Sequence, residues 1–77
     1  AGELFKKGQY KQAIEIYNNI LKENPDNVST LKMKAIAQSN LGYHKLSLVE
    51  FFKVLEINSQ DVVALNGMGV GFGKLGE

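Results

Sequence analysis

Gly8, Gly42 and Gly76 stand 34 residues apart, and the residues around them recur in the same register. At an offset of 34, Lys11 falls on Lys45, Tyr17 on Phe51, Ile20 on Val54, Leu21 on Leu55 and Asn24 on Asn58. The same step brings Val28 onto Val62, Leu31 onto Leu65, Leu41 onto Leu75, and both Ala1 onto Ala35 and Ala35 onto Gly69. A period of this length reads as stacked copies of one supersecondary unit, none of which buries its apolar face alone. It divides the chain into 1–27, 28–61 and 62–77. These are the close of one unit, a whole second unit and the opening of a third, so the sequence reads as a piece of a longer array.

Each unit is helical. Ala13, Ile14, Ile16, Tyr17, Ile20 and Leu21 have the spacing of an amphipathic helix, which Asn24-Pro25-Asp26-Asn27 ends. Asn27 is placed to cap a helix carrying Val28, Leu31, Ala35 and Leu41, and Gly42 is placed to end it. A further helix from about Lys45 to Ile57 sets Leu48, Phe51, Phe52, Val54 and Leu55 toward a core. Asp61 then caps a last helix, starting near Val62, with Leu65, Met68, Phe72 and Leu75. Strand-type alternation persists nowhere, so the expected class is all-α.

A 34-residue helix-turn-helix unit with small residues at Ala1, Ala35 and Gly69, Gly at 8, 42 and 76, Ala13 and Ser47, the aromatics Tyr17 and Phe51, and Pro25 resembles the tetratricopeptide repeat. The resemblance covers the whole chain and implies antiparallel helix pairs stacked in a right-handed superhelical solenoid. Each feature has its own packing reason. Small residues let paired helices approach, an aromatic fills the gap between units, and glycine takes the left-handed turn cheaply. The departures are Leu31 and Leu65, where Trp is frequent, and Ser59, where Pro is usual.

The chemistry the chain excludes is as informative. Its 77 residues contain no Cys, no Arg, nine Lys and eight acids, for a net charge of +1. Thiol chemistry and thiolate metal sites are excluded, and the near-neutral balance gives no electrostatic case for nucleic acid or an anionic membrane. No apolar run reaches the roughly 20 residues that span a bilayer, and no leader is recognisable, so the expectation is a soluble, cytoplasmic chain. Gly67, Gly69, Gly71 and Gly73 before Lys74 do not make a phosphate cradle. Met68 and Leu75 occupy places that need Gly and Ser or Thr, and no strand precedes them. They read as a glycine-weakened helix, the least stable element of the chain. His44, the one histidine, reads as packing. Glu15, Glu23, Glu50 and Glu56 read as solvated faces, and Lys6, Lys7 and Lys11 as charges complementing the C-terminal end of a first helix. Asn27-Val28-Ser29 matches a glycosylation acceptor, a pattern too common to carry weight. No catalytic constellation assembles, so neither enzyme activity nor a cofactor is expected.

By the resemblance, extended peptides or partner helices bind the concave face lined by the first helix of each unit. The candidate contacts there are Lys32, Ile36, Ser39, Asn40, Asn66, Val70 and Lys74, with Val63 and Gly73 at neighbouring groove positions and Gly2, Phe5 and Lys6 from the first unit. The carboxylate clamp that some members use for chaperone tails is absent, because Gly2, Met33, Val63 and Gly67 occupy its Asn and cationic positions. What remains is a mixed groove for a protein or peptide partner, apolar at Ile36 and Val70, amide-bearing at Asn40 and Asn66, and cationic at Lys32 and Lys74. Self-assembly is the second expectation. Apolar residues near Leu4 and Phe5 at one end, and at Met68, Phe72 and Leu75 at the other, allow stacking or helix exchange between copies.

Overall fold

The computed structural model describes residues 7–76. The expectations placed on Ala1, Gly2, Leu4, Phe5 and Lys6 lie outside the described residues. Four helices make up the regular structure of the rest: α1 Lys7–Glu23, α2 Val28–Asn40, α3 His44–Ile57 and α4 Val62–Lys74. Each packs on its sequence neighbour, and α4 also touches α2. The connections are short, as antiparallel neighbours require. This is an all-helical, repeat-like stack.

The boundaries follow from local chemistry. The Asn27 side chain accepts a hydrogen bond from the Thr30 N–H at 3.1 Å, and Asp61, one period on, accepts from the Ala64 N–H at 3.0 Å. Each satisfies an amide that the first turn of a helix leaves without a partner. At the end of α2, Gly42 takes φ +87°, the Gly42 N–H reaches the Ser39 carbonyl at 3.0 Å and the Tyr43 N–H reaches Gln38 at 2.8 Å. That bond pair closes the helix around a left-handed glycine. Gly76 repeats the conformation at φ +83°.

Gly8 does not. It is the second residue of α1 and has no positive φ, so the expected turn there is corrected to helix. Glycine accepts helical φ as readily as left-handed φ. Lys7 and Lys11 accordingly lie within α1 and not at the close of an earlier helix.

Leu31, Ala35, Phe51, Val54 and Ala64 form the core, with Leu21, Val28, Leu55 and Met68 packed around it. The core draws on α2, α3 and α4 together, because Phe51 lies between α2 and α4. Phe52, expected to be at least partly buried, is exposed on the far side of α3.

The glycines of α4 divide into two kinds. A Cβ on Gly67 would run into the Phe51 ring, and one on Gly71 would lie 2.8 Å from Leu48 Cδ2, whereas Gly69 and Gly73 face open space. Gly67 and Gly71, four residues apart and so on one helical face, let α4 approach α3 closely.

Candidate interaction groove

α2 and α4 lie side by side over α3. Ile36, Ser39 and Asn40, spaced to share one face of α2, meet Val63, Gly67 and Val70 of α4 around a hollow of about 180 Å³. The Phe51 ring lines it too, reached because Gly67 carries no side chain. A second hollow, about 260 Å³, lies between α1 and α2 and is lined by Tyr10, Ala13, Tyr17, Met33, Ile36, Ala37 and Asn40. Ile36 and Asn40 form the ridge between the two. A larger hollow of about 370 Å³ at the α1–α2 turn is bounded by Glu23 to Asn27 alone, Pro25 with four polar neighbours in one local saddle.

Of the seven expected contacts, Ile36, Ser39, Asn40 and Val70 come together at the first hollow. Asn66 and Lys74 are exposed on α4 but do not line it. Lys32 is committed elsewhere: its Nζ lies 3.0 Å from Asp61 Oδ2, so it clamps α2 to the start of α4. The expectation of a free groove cation at Lys32 is corrected. No spacing rule links residues 29 apart, so the sequence carried no signal of this bond. Phe51 was legible as core but not as the floor of the hollow, which depends on the bare backbone at Gly67.

Electrostatics tighten the scaffold around the groove. The Lys32 ammonium, followed by the Ala64 N–H, holds the Asp61 carboxyl below the ordinary carboxylate value. Glu50, expected to be solvated, is buried. Its Oε2 lies 3.3 Å from Lys34 Nζ of α2, and its Oε1 lies 3.7 Å from Lys53 Nζ one turn along α3. A buried carboxylate persists only with such a partner. Glu15, Glu23 and Glu56 are exposed as expected. His44 is half-buried, with Nδ1 inside and without a hydrogen-bond partner. Among the described residues no group of three or more His, Asp or Glu gathers as a metal would need, and no helix is long and apolar enough to cross a membrane.

Fold and hollows together define a class: a helical repeat with shallow apolar hollows between neighbouring helices. A TPR repeat-containing protein of Methanocaldococcus jannaschii is 38% identical to this chain over 53 residues, covering 69% of this chain and 9% of that protein. No family model matches the chain, and no solved structure matches it. The 34-residue register, the four-helix stack and this similarity place the chain in the tetratricopeptide repeat family.

Proposed function

We propose that the chain is a non-catalytic protein-interaction scaffold, with units at 1–27, 28–61 and 62–77, that binds a peptide or partner helix over the α2–α4 hollow. The observation that carries this reading is the convergence of Ile36, Ser39, Asn40, Val63 and Val70 on one depression floored by the Phe51 ring. Ile36 and Val70 supply apolar walls for one inserted side chain, and the Asn40 amide both donates to and accepts from a peptide backbone. Lys74 lies one helical turn beyond Val70 and favours an acidic residue downstream of the anchor. A depression of this size takes a single aliphatic side chain, so affinity from this site alone is weak and grows through additional contacts.

Selection of short peptides displayed on phage, followed by titration of the winners against the chain and its Val70→Lys variant, tests the reading. Val70 is exposed, so the variant keeps its fold. Binding weakened by about tenfold or more supports the groove, as expected when a central apolar anchor is lost. Peptides that bind both forms equally place the interaction elsewhere and remove this assignment.

A further inference from the structure

The outward stripe of α3 is unlike that of α1, although each is the second helix of its unit. Residues spaced by four, three and four fall within one narrow strip of a helix surface. On α3 the strip opposite the buried Ser47, Phe51 and Val54 reads Lys45, Val49, Phe52, Glu56, all exposed, with Val49 at 51% and Phe52 at 55%. On α1 the residues one period earlier are Lys11, Glu15, Asn18 and Lys22, also exposed. The register therefore does not require an apolar centre at this place; α3 has one and α1 does not.

This stripe is not an end of the stack. α2 and α4 cover the inner side of α3, and α1 and α3 do not pack on each other. Second helices of successive units are thus apart, and a stack continued in the same register would leave the outer stripe of α3 as open as it is.

The order of the four residues identifies the occupant. Turned antiparallel about a point midway between Val49 and Phe52, the stripe meets itself with Lys45 opposite Glu56 and Val49 opposite Phe52. Neither Lys45 nor Glu56 has an ion-pair partner among the described residues, whereas Lys53, on the border of the stripe, is drawn to Glu50 at 3.7 Å. The same operation on α1 sets Lys11 against Lys22 and Glu15 against Asn18, which is polar and repulsive.

We propose that a second copy of this chain docks on this stripe, α3 against α3 about a two-fold axis, with Val49 and Phe52 of both copies at the centre and a Lys45–Glu56 pair at each end. An isologous contact of this kind closes at a dimer. About three turns of paired helix bury less than the roughly 1,200 Å² of a standard interface, so the dimer is weak and reversible. The α2–α4 hollow lies on the other side of α3, and none of the four stripe residues lines it, so the dimer presents two open hollows. The contact stands whether or not that hollow binds a peptide.

The test is sedimentation of the chain across a wide concentration range, with helicity followed by circular dichroism. The expected mass rises to that of a dimer and no further, and the rise shrinks with added salt. Phe52→Gln, at an exposed position, keeps the helical signal and weakens association by about tenfold or more. Lys45→Glu and Glu56→Lys each set like charges together at both ends and weaken it by about tenfold. An equimolar mixture of these two variants restores a dimer holding one of each, since every end then joins a lysine to a glutamate. Stacking through the ends of the helix array has no such requirement. A mass that stays monomeric, one that climbs past a dimer, association indifferent to Phe52→Gln, or a mixture no tighter than its components overturns the proposal.

Discussion

α2 and α4 are one helix written twice, 34 residues apart, and they live in different surroundings. α2 has α1 on one side and α3 on another, while α4 is held by α3 and touches α2. The same register positions are therefore core on α2 and surface on α4: Leu31 against Leu65, Ala35 against Gly69, Gln38 against Phe72. Composition alone would assign the burial the other way, since α4 is the more apolar helix and α2 carries two lysines. Burial in a repeat protein is conferred by the neighbour. α2 meets its contacts with a polar, paired seam, Lys34 with Glu50 and Lys32 with Asp61.

That contrast is open to attack, beginning with the largest effect. Lys34→Ala leaves Glu50 buried with only the longer Lys53 contact, and urea denaturation of the monomeric chain is expected to show a loss of about 3 kcal/mol. Giving α2 and α3 the residues found at the equivalent places, Lys34→Met with Glu50→Ile, recovers that loss or exceeds the original stability. A single variant as stable as the parent would mean that the α2–α3 seam is wet and the comparison with α4 fails.

Next come the glycines. Gly67→Ala drives a methyl into the buried Phe51 ring and is expected to cost about 2 kcal/mol, the scale of overpacking in a filled core. Gly69→Ala meets nothing and stabilises α4 by about 1 kcal/mol through helix propensity alone. Thermal melts of the pair should move in opposite directions; equal shifts would remove the distinction between the closed and open faces of α4.

Cap removal is smaller. Asn27→Ala deprives the first turn of α2 of its acceptor at about 1 kcal/mol, read most directly as faster amide exchange at Thr30. Asp61→Asn keeps an acceptor for Ala64 and loses only the charged bond to Lys32, the smallest stability change of the set.

Acid provides the finest probe. The Asp61 carboxyl titrates below its ordinary 3.8 in the folded chain, so its ionised form favours folding. Its contribution is whole above that ordinary value and drains away as the pH falls through the lower folded one. A pH series of denaturation midpoints should therefore show an acid slope between these values that is shallower in Asp61→Asn. An unchanged slope removes Asp61 as a source of the acid sensitivity.

Much of this was legible in the residues because the signals are local. Asn27 and Asp61 cap helices by bonds that reach three residues along the chain, and Gly42 ends α2 through bonds that stay within five. Such interactions depend on residue type and spacing alone. Gly8 misled because glycine marks a turn only when the flanking segments pack to demand one, and in helix it is merely tolerated. At the hollow, Ile36, Ser39, Asn40 and Val70 were implied by the family resemblance, while the diversion of Lys32 to Asp61 and the place of the buried Phe51 ring beneath Gly67 were not.

The sequence by itself determined the period, the all-helical class, the positions of the caps and the face of each helix that is apolar, since these rest on backbone geometry repeating every few residues. Tertiary structure alone decided which lysine and which carboxylate are paired and which two of α4's glycines are required. Those outcomes turn on how helices rotate and approach across about 30 residues of chain, a distance at which side-chain identity constrains contact only after the stack has formed.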